Sequence, residues 1–298
     1  MTKIHKKRSL QSNRGRIGFL MTLPANLILL GTFMYPIFWA FMISISDSGS
    51  VFRDRLDIIG FDNYIRLLNS PGFANAFTNT IRFVFTTVAV ELLLGFIIAL
   101  ILDRRMPGYK GFNLIITLPL MVAPLVSGLQ FRWLLADQHG AINNLLREFG
   151  ITGPLWLVSP DWAFTSLVIA NVLLAVPFCI LVLLSALASL PESLNESGRI
   201  DGANFSQLFW YITLPQLKPA VLTILVVRIA DAFRIFDIVF ILTAGGPGTS
   251  TEMISLHIYR ASFSFMRFGE GAAASFISMM TIGIVCFILF NRMNKVND

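Results

Sequence analysis

The chain has 298 residues, of which 55% are hydrophobic and 13% are charged, and its mean hydropathy is +0.71. This composition excludes a single soluble core, because the apolar residues lie in runs of about 19 to 30, long enough for membrane-spanning helices. The formal net charge of +6 does not indicate nucleic-acid binding, because the basic residues are divided among loops in a pattern that reports membrane topology.

Six apolar runs predict six transmembrane helices in an all-α membrane protein. Barrel strands are not expected, because the runs lack the short alternating pattern of such strands. The runs form a predicted transmembrane domain over residues 17–291, with a basic segment, 1–16, before it and a short tail, 292–298, after it. The six predicted spans are residues 17–46, 76–102, 112–135, 164–188, 217–242 and 272–291.

The basic residues of the loops predict that both termini lie in the cytoplasm. Thirteen Lys and Arg residues fall in the segments assigned to that side, and six fall in the opposite loops among acids; loops rich in Lys and Arg stay in the cytoplasm. The cytoplasmic set is Lys3, Lys6, Lys7, Arg8, Arg14, Arg16, Arg104, Arg105, Lys110, Arg199, Lys218, Arg292 and Lys295. The opposite set is Arg53, Arg55, Arg66, Arg147, Arg260 and Arg267.

The sequence carries no motif for catalysis or metal binding. The two cysteines lie inside predicted spans and are expected to be packing residues, and the three histidines share no ligand spacing. A phosphate-binding loop is also absent, since the glycine-rich segment 245–248 lacks the lysine that such a loop needs. We therefore expect no catalytic residue, no metal site and no cofactor in this chain, and no hydrolysis of ATP by the chain alone.

The third predicted span is expected to bend, because it contains Pro119, Pro124 and Gly128. The fourth span presents one stripe of mixed character, made of Asn171, Leu174, Ala175 and Phe178. An amide, a small residue and an aromatic ring on one helical face suit a sugar, which needs hydrogen bonds to its hydroxyls and stacking on its apolar face. The alternative is that Asn171 bonds across a packed helix interface.

A polar segment, the 189–216 loop, separates the fourth and fifth spans. Ser189 and Glu192 have the spacing of a capping box with a proline in the first turn, which predicts a helix of about eleven residues. Gly202 is expected to end that helix, and Asn204, with Gln207 three residues later, is expected to cap a second one. The predicted apolar stripe of the second helix is Phe205, Leu208, Phe209 and Ile212, with the helix ending at Leu214-Pro215.

Two interpretations of the 189–216 loop follow from the residues. An amphipathic connector can lie on the membrane surface, a common arrangement. Its polar face, however, carries Glu192, Glu196 and Asp201 where a surface helix favours Lys and Arg. Acidic residues suit a basic groove on a partner protein better than they suit anionic lipid.

The fifth span carries four charged residues, three apart and alternating in sign: Arg228, Asp231, Arg234 and Asp237. One interpretation is that neighbours pair with each other, which offsets the cost of placing charge in the membrane. The other is that Asp231, with Ile235, faces a translocation cavity and bonds the hydroxyls of a sugar. Glu91 in the second span is a possible partner for Arg228.

Two motifs resemble a known family. Glu196-Ser-Gly-Arg-Ile-Asp-Gly-Ala203, followed by Ile212-Thr-Leu-Pro215, is similar to the EAA loop of permease subunits in ATP-binding-cassette importers. Ser197 and Gly198 replace the alanines that give the loop its name, and both are small. The matching positions are Glu196, Asp201, Gly202, Ala203, Leu214 and Pro215.

Further segments resemble the carbohydrate-uptake branch of that family, with its maltose-type and glycerol-phosphate-type permeases. They are residues 236–247, Thr251-Glu252 and residues 269–274. The resemblance implies a type I importer fold in a bacterial inner membrane, in which the 189–216 loop holds a cytoplasmic coupling helix. It also implies a second permease, usually a different chain, a dimer of ATPase subunits that bind ATP and Mg²⁺, and an extracytoplasmic sugar-binding protein. By the same resemblance, Asn171 stands where a sugar-contacting asparagine is expected.

The expected function is that of a permease subunit that forms half of a sugar pathway. Alternating access would be driven from outside the chain, through the 189–216 loop. A rival function is that of a stand-alone secondary transporter or channel, with the charges of the fifth span as an ion relay. A structural scaffold is a third class, and it would not require Asn171 and Asp231 inside the membrane.

Overall fold

The computed structural model describes residues 2–47, 56–103 and 108–297, which leaves Arg53, Arg55, Arg104 and Arg105 outside the described residues. The regular secondary structure of the described part is helical apart from one isolated bridge between Ser46 and Ile58. In chain order the helices are α1 (Thr2–Ser44), α2 (Asp62–Leu68), α3 (Pro71–Asp103), α4 (Tyr109–Thr117), α5 (Pro124–Leu134), α6 (Ala141–Glu148), α7 (Pro160–Ala188), α8 (Glu192–Ile200), α9 (Phe205–Leu208), α10 (Leu214–Gln216), α11 (Lys218–Phe233), α12 (Asp237–Leu242), α13 (Ile254–Tyr259) and α14 (Phe268–Asn297).

Four described helices are long and apolar enough to cross a membrane as single elements. They are Met21–Ser44 within α1, all of α3 and α7, and Phe268–Met293 within α14. Two further candidates are bent pairs: Gly111–Met121 with Pro124–Leu134, at 100°, and Phe205–Gln216 with Lys218–Phe233, at 63°. By length and composition the described chain therefore has four candidate spans, or six if each bent pair counts as one.

The expected bend of the third span is confirmed. A 3₁₀ turn, Leu118–Met121, follows α4, and α5 starts at Pro124. Pro119 and Pro124 have no backbone N–H to continue a helix, so the chain turns between them. The bend is sharp enough that α4 and α5 are separate helices.

The prediction of one continuous fifth span over 217–242 is wrong. Helix α11 ends at Phe233 and α12 begins at Asp237. Side chains satisfy the carbonyls freed at this break: Arg234 Nε donates to Ala230 O at 3.2 Å, and the Ser255 hydroxyl donates to Ile235 O. A break at membrane depth is stable only where such partners exist.

The core of the described chain is the contact between α3 and α7. Gly95 lets the two backbones approach, since a Cβ there would lie 2.8 Å from Cys179 Cβ. Phe83, Leu167 and Ile180 are almost fully buried around the same interface. Small residues at a helix contact are how membrane helices gain packing energy without a hydrophobic driving force. Cys179 is a free, buried thiol, so it is a packing residue.

The 189–216 loop departs from the expected capping. Ser189 ends α7, and its hydroxyl donates to Ala186 O at 2.7 Å, so it is not available to cap α8. The predicted Ser189 capping box is therefore wrong, and α8 has nine residues, beginning at Glu192 after Pro191. The break at Gly202 is confirmed, with φ +83°.

The second half of the loop follows the prediction more closely. Asn204 Oδ1 accepts from Gln207 N at 2.9 Å and Gln207 Oε1 accepts from Asn204 N at 2.8 Å, so this capping box is confirmed. The chain then widens into one π turn, Phe209–Thr213, and continues helically through α10 to Gln216, one residue beyond the end expected at Leu214-Pro215. The wider turn accommodates Pro215, whose ring would clash in a regular α-helix.

Candidate functional site

A central cleft of about 660 Å³ lies between α7, the α11–α12 break and the bend before α5. Its volume lies within the range of small-molecule sites in proteins. The structure brings to it all six residues that the sequence placed on a substrate pathway: Asn171, Leu174, Ala175, Phe178, Asp231 and Ile235. Their shared position is an observation, and their role in transport stays a prediction.

Other cleft residues were not predicted from the sequence. They come from the two broken regions: Leu120, Val122 and Pro124 before α5, and Arg234, Phe236, Asp237 and Ile238 at the α11–α12 break. The prolines signalled a bend, but its direction depends on tertiary packing. The stripe on the fourth span, by contrast, could be predicted from the sequence, because residues three and four positions apart share a helical face.

A buried ion pair connects the second and fifth predicted spans behind the cleft. Glu91 of α3 is fully buried, and its Oε2 accepts from Arg228 Nε at 2.8 Å. Arg228 Nη2 also donates to Glu91 Oε1, at 3.1 Å, so the contact is bidentate. The fork of a guanidinium matches a carboxylate in this geometry. The pairing of Glu91 with Arg228, raised as a possibility from the sequence, is present.

The arginines of the fifth span also pair with Asp231. Arg228 Nη1 donates to Asp231 Oδ2 at 3.3 Å, and Arg234 Nη2 donates to Asp231 Oδ1 at 2.7 Å. These pairs support the interpretation that the charge series neutralises itself. Asp231 still borders the cleft, with its side chain 42% exposed. The two interpretations are therefore compatible, since a paired carboxylate retains lone pairs for a solute hydroxyl.

Asn171 belongs to the same polar network, which we define as Asn171, Glu91, Arg228, Asp231 and Arg234. Its Nδ2 donates to Glu91 Oε1 at 3.0 Å. This bond crosses from α7 to α3, as the packing alternative expected. Asn171 nevertheless lines the cleft as well, so packing and access to the cleft coexist at one residue.

The outer loop after α12 is held by polar contacts. It makes a tight turn at residues 245–248, with positive φ at Gly245 and Gly248. Asn79 Nδ2 ties the loop to α3 by donating to Thr249 O at 3.1 Å. Glu252 Oε1 lies 2.9 Å from His257 Nδ1, and Glu252 Oε2 accepts from Arg260 Nη1 at 2.5 Å.

The charge on Glu252 depends on these partners. The hydrogen bond from His257 lowers the pKa of Glu252, burial raises it, and the nearby Arg260 lowers it; the net direction is downward. The carboxylate is therefore stabilised in its ionised form, and its contacts with His257 and Arg260 fasten the loop.

The coupling residues predicted in the 189–216 loop occupy two environments. Gly198 is buried, and a Cβ there would lie 2.7 Å from Leu208 Cδ2 and 2.8 Å from Ile212 Cδ1. Ala203 and Leu214 are half-buried. The exposed members are Glu196, Ser197, Asp201, Gly202 and Pro215.

Two features of this loop's surface differ from the expected apolar-in, polar-out pattern. Phe205, predicted to pack inward, is 62% exposed, because the packing side of α9 is filled by Leu208. Ile200, which the sequence did not single out, is 86% exposed beside Asp201. The exposed face is therefore mixed, with carboxylates and apolar side chains next to each other.

Comparison with known proteins identifies the family. The family described as "Binding-protein-dependent transport system inner membrane component" matches residues 91–297, which is more than half of the chain. The chain belongs to this family. It is an inner-membrane permease, and the assignment favours an importer subunit over a stand-alone transporter or channel.

Relatives of the permease match it over nearly its whole length. It is 34% identical over 276 residues to the trehalose/maltose transport system permease protein MalF of Thermococcus litoralis, covering 93% of this chain and 92% of that protein. It is 29% identical over 282 residues to the sulfoquinovosyl glycerol transport system permease protein SmoG of Agrobacterium fabrum, covering 95% and 91%.

A solved structure shares the fold of the permease. It is a bacterial alginate ABC transporter in complex with an alginate pentasaccharide-bound periplasmic protein, and one of its chains superposes with a TM-score of 0.80. The superposition covers 93% of each chain at 23% identity. At that identity the likeness supports the fold and leaves the solute open.

Proposed function

We propose that the permease forms half of the membrane pathway of an ATP-binding-cassette importer for a sugar. The observation that carries the proposal is the central cleft, in which an amide, small apolar residues, an aromatic ring and a carboxylate converge from α7 and α11. A sugar needs such a mixture, because its hydroxyls require hydrogen bonds and its ring carbons pack on aromatic faces. The sugars in the names of the relatives agree with this chemistry.

In this proposal the permease has six spans, the third being the bent pair Gly111–Met121 and Pro124–Leu134 and the fifth beginning at Lys218. The segments 1–16 and 292–298 and the 189–216 loop then lie on the cytoplasmic side, in agreement with the distribution of Lys and Arg. The outer loop fastened by Glu252 lies on the opposite side, where it can meet a sugar-binding protein.

The 189–216 loop is the proposed contact with an ATPase dimer. Close packing at Gly198 holds α8 against the following helix. A displacement of α8 is therefore transmitted to α10 and α11. Ile200 and the carboxylates of Glu196 and Asp201 project from the exposed side. An apolar anchor ringed by acids fits a groove of mixed apolar and basic character on a partner protein.

The work of transport comes from the partners. ATP and Mg²⁺ bind to the ATPase subunits, and closure of those subunits draws the loops of the two permeases together. The spans then tilt, and the opening of the cleft changes from the outer side to the cytoplasm. ATP shifts the equilibrium between the outward-open and cytoplasm-open states only if its binding favours one of them. The loop must stay bound to the ATPase in both states, so that closure of the ATPase moves the spans.

Asn171→Ala tests the role of the cleft. In the assembled complex we expect this variant to lose at least tenfold of the sugar-stimulated ATPase activity, because one hydrogen bond to a hydroxyl and the anchor of Glu91 are removed together. Asn69→Ala is the matched control, since Asn69 is exposed at the end of α2, away from the cleft. Equal stimulation in Asn171→Ala and the wild type would contradict the proposal.

A further inference from the structure

The charges around the central cleft do not balance. Within the described residues, the charged side chains that line it are Arg228, Asp231, Arg234 and Asp237. Glu91 lies directly behind Arg228 and adds a third negative charge. The set therefore carries a net charge of −1. A solute that carries a carboxylate or sulfonate therefore meets net repulsion in the cleft.

The two arginines are already engaged. Each of the three guanidinium nitrogens of Arg228 donates to an acid, two to Glu91 and one to Asp231. Arg234 donates through Nη2 to Asp231 and through Nε to Ala230 O. An acidic solute would have to break an ion pair to reach Arg228, and at Arg234 it would meet a guanidinium that Asp231 already neutralises, so the arginines do not form a ready anion site.

Glu91 also sets the orientation of Asn171. An ionised carboxylate can only accept, so the amide nitrogen of Asn171 must face Glu91 and the amide oxygen must point elsewhere. Among the described residues no donor reaches Asn171 Oδ1, and the residue borders the cleft. The cleft therefore receives a hydrogen-bond acceptor at this position, which suits a hydroxyl and opposes an anion.

We infer that Glu91 is a positioning residue that sets the selectivity of the cleft for uncharged, polyhydroxylated sugars over acidic ones. It does not touch the solute. It neutralises the charge of Arg228 from the side away from the cleft. It also orients the Asn171 amide so that the carbonyl oxygen faces the solute. The inference rests on the proposed function, because it specifies the substrate class of the same cleft.

The first test is direct sugar binding to the purified complex without its binding protein. Trehalose and maltose are the neutral probes, and sulfoquinovosyl glycerol and a short alginate fragment are the acidic ones. The inference predicts that at least one neutral probe binds at least tenfold more tightly than either acidic probe. Tighter binding of an acidic probe would overturn the inference and leave the proposed function standing. Binding of none of them would contradict the inference and leave the proposed function standing, since that function allows another sugar delivered by the binding protein.

The second test uses two variants that change the charge in opposite directions. Glu91→Gln removes a negative charge at nearly constant shape, so the preference for the neutral over the acidic probe should fall about tenfold. Arg234→Gln removes a positive charge from the cleft while Asp231 keeps its pairing with Arg228, so the same preference should rise. Glu148→Gln, an exposed acid at the end of α6, is the matched control and should leave the preference unchanged.

Structural damage would give a different pattern. A variant that only disrupts the structure of the cleft weakens the binding of neutral and acidic probes by the same factor. The ratio of the two affinities would then be unchanged in both variants. Opposite shifts in Glu91→Gln and Arg234→Gln support the inference. Shifts in the same direction, or an unchanged ratio, overturn it. The double variant Glu91→Gln/Arg228→Gln keeps the net charge at −1 and should restore a ratio close to that of the wild type.

Discussion

Gly198 of α8 lies against Leu208 of α9, so close that a Cβ on the glycine would be 2.7 Å from Leu208 Cδ2. The two short helices of the 189–216 loop are therefore one packed unit. The atoms that a Cβ would meet are the ends of flexible side chains, and these can shift by a few tenths of an ångström. The contact thus limits the size of the residue at 198 without requiring glycine.

A series at Gly198 tests this contact. We expect Gly198→Ala to retain most of the sugar-stimulated ATPase activity of the complex, because Leu208 and Ile212 can yield. Gly198→Leu should separate the two helices, at a cost of about 1–3 kcal/mol for overpacking, and abolish the stimulation. The measurement is ATPase activity at matched amounts of assembled complex. Gly111→Leu serves as the control, since no atom lies within 4 Å of a Cβ there.

Gly202 is required for its backbone conformation. It has φ +83° and open space around its Cβ position, so a side chain at this position strains the backbone without a clash. Gly202→Val should weaken ATPase binding, while Gly202→Asn, which tolerates positive φ, should weaken it less. The affinity of the purified ATPase for the permease is the quantity to measure. Equal affinities for both variants would show that the turn at Gly202 does not shape the docking surface.

The exposed carboxylate of Glu196 gives a prediction about charge at the same surface. Glu196→Lys should reduce ATPase binding at least tenfold, because it replaces an attraction to a basic groove with a repulsion. Membrane insertion and expression should be unchanged. Raising the salt concentration should narrow the difference, since exposed charges are screened. Undiminished ATPase binding by this variant would exclude the acidic face as the contact.

Several of these features could be predicted from the sequence. The Asn204–Gln207 capping box and the break at Gly202 depend on neighbours within four residues, and local chemistry determines them. The stripe from Asn171 to Phe178 follows from helical periodicity alone. Ser189 was misassigned because the sequence does not say whether its hydroxyl bonds forward to α8 or, as observed, back to Ala186 O.

The remainder of the site depends on contacts between distant segments. Glu91 and Arg228 are 137 residues apart, and their pairing requires α3 and α11 to be adjacent. The break between α11 and α12 is stabilised partly by Ser255, which lies on α13. No local pattern reports that such a partner will be present, so a continuous helix was the natural expectation for the fifth span.

The outer loop should loosen in acid. The partners of Glu252 lower its pKa relative to that in the unfolded chain. The ionised carboxylate therefore stabilises the folded protein at pH values above the ordinary glutamate pKa of about 4.3. That contribution is lost as the pH falls through the lowered pKa. The wild type should therefore melt at a higher temperature than Glu252→Gln at neutral pH, and the difference should shrink below about pH 4. A difference that does not depend on pH would contradict this assignment.

Uptake into proteoliposomes that contain the assembled complex tests whether the permease imports sugar at the expense of ATP. We expect labelled sugar to enter only with the binding protein outside and hydrolysable ATP on the side of the ATPase subunits. A non-hydrolysable ATP analogue should abolish uptake. Sugar uptake by the permease alone, driven by an ion gradient without ATP, would contradict the account.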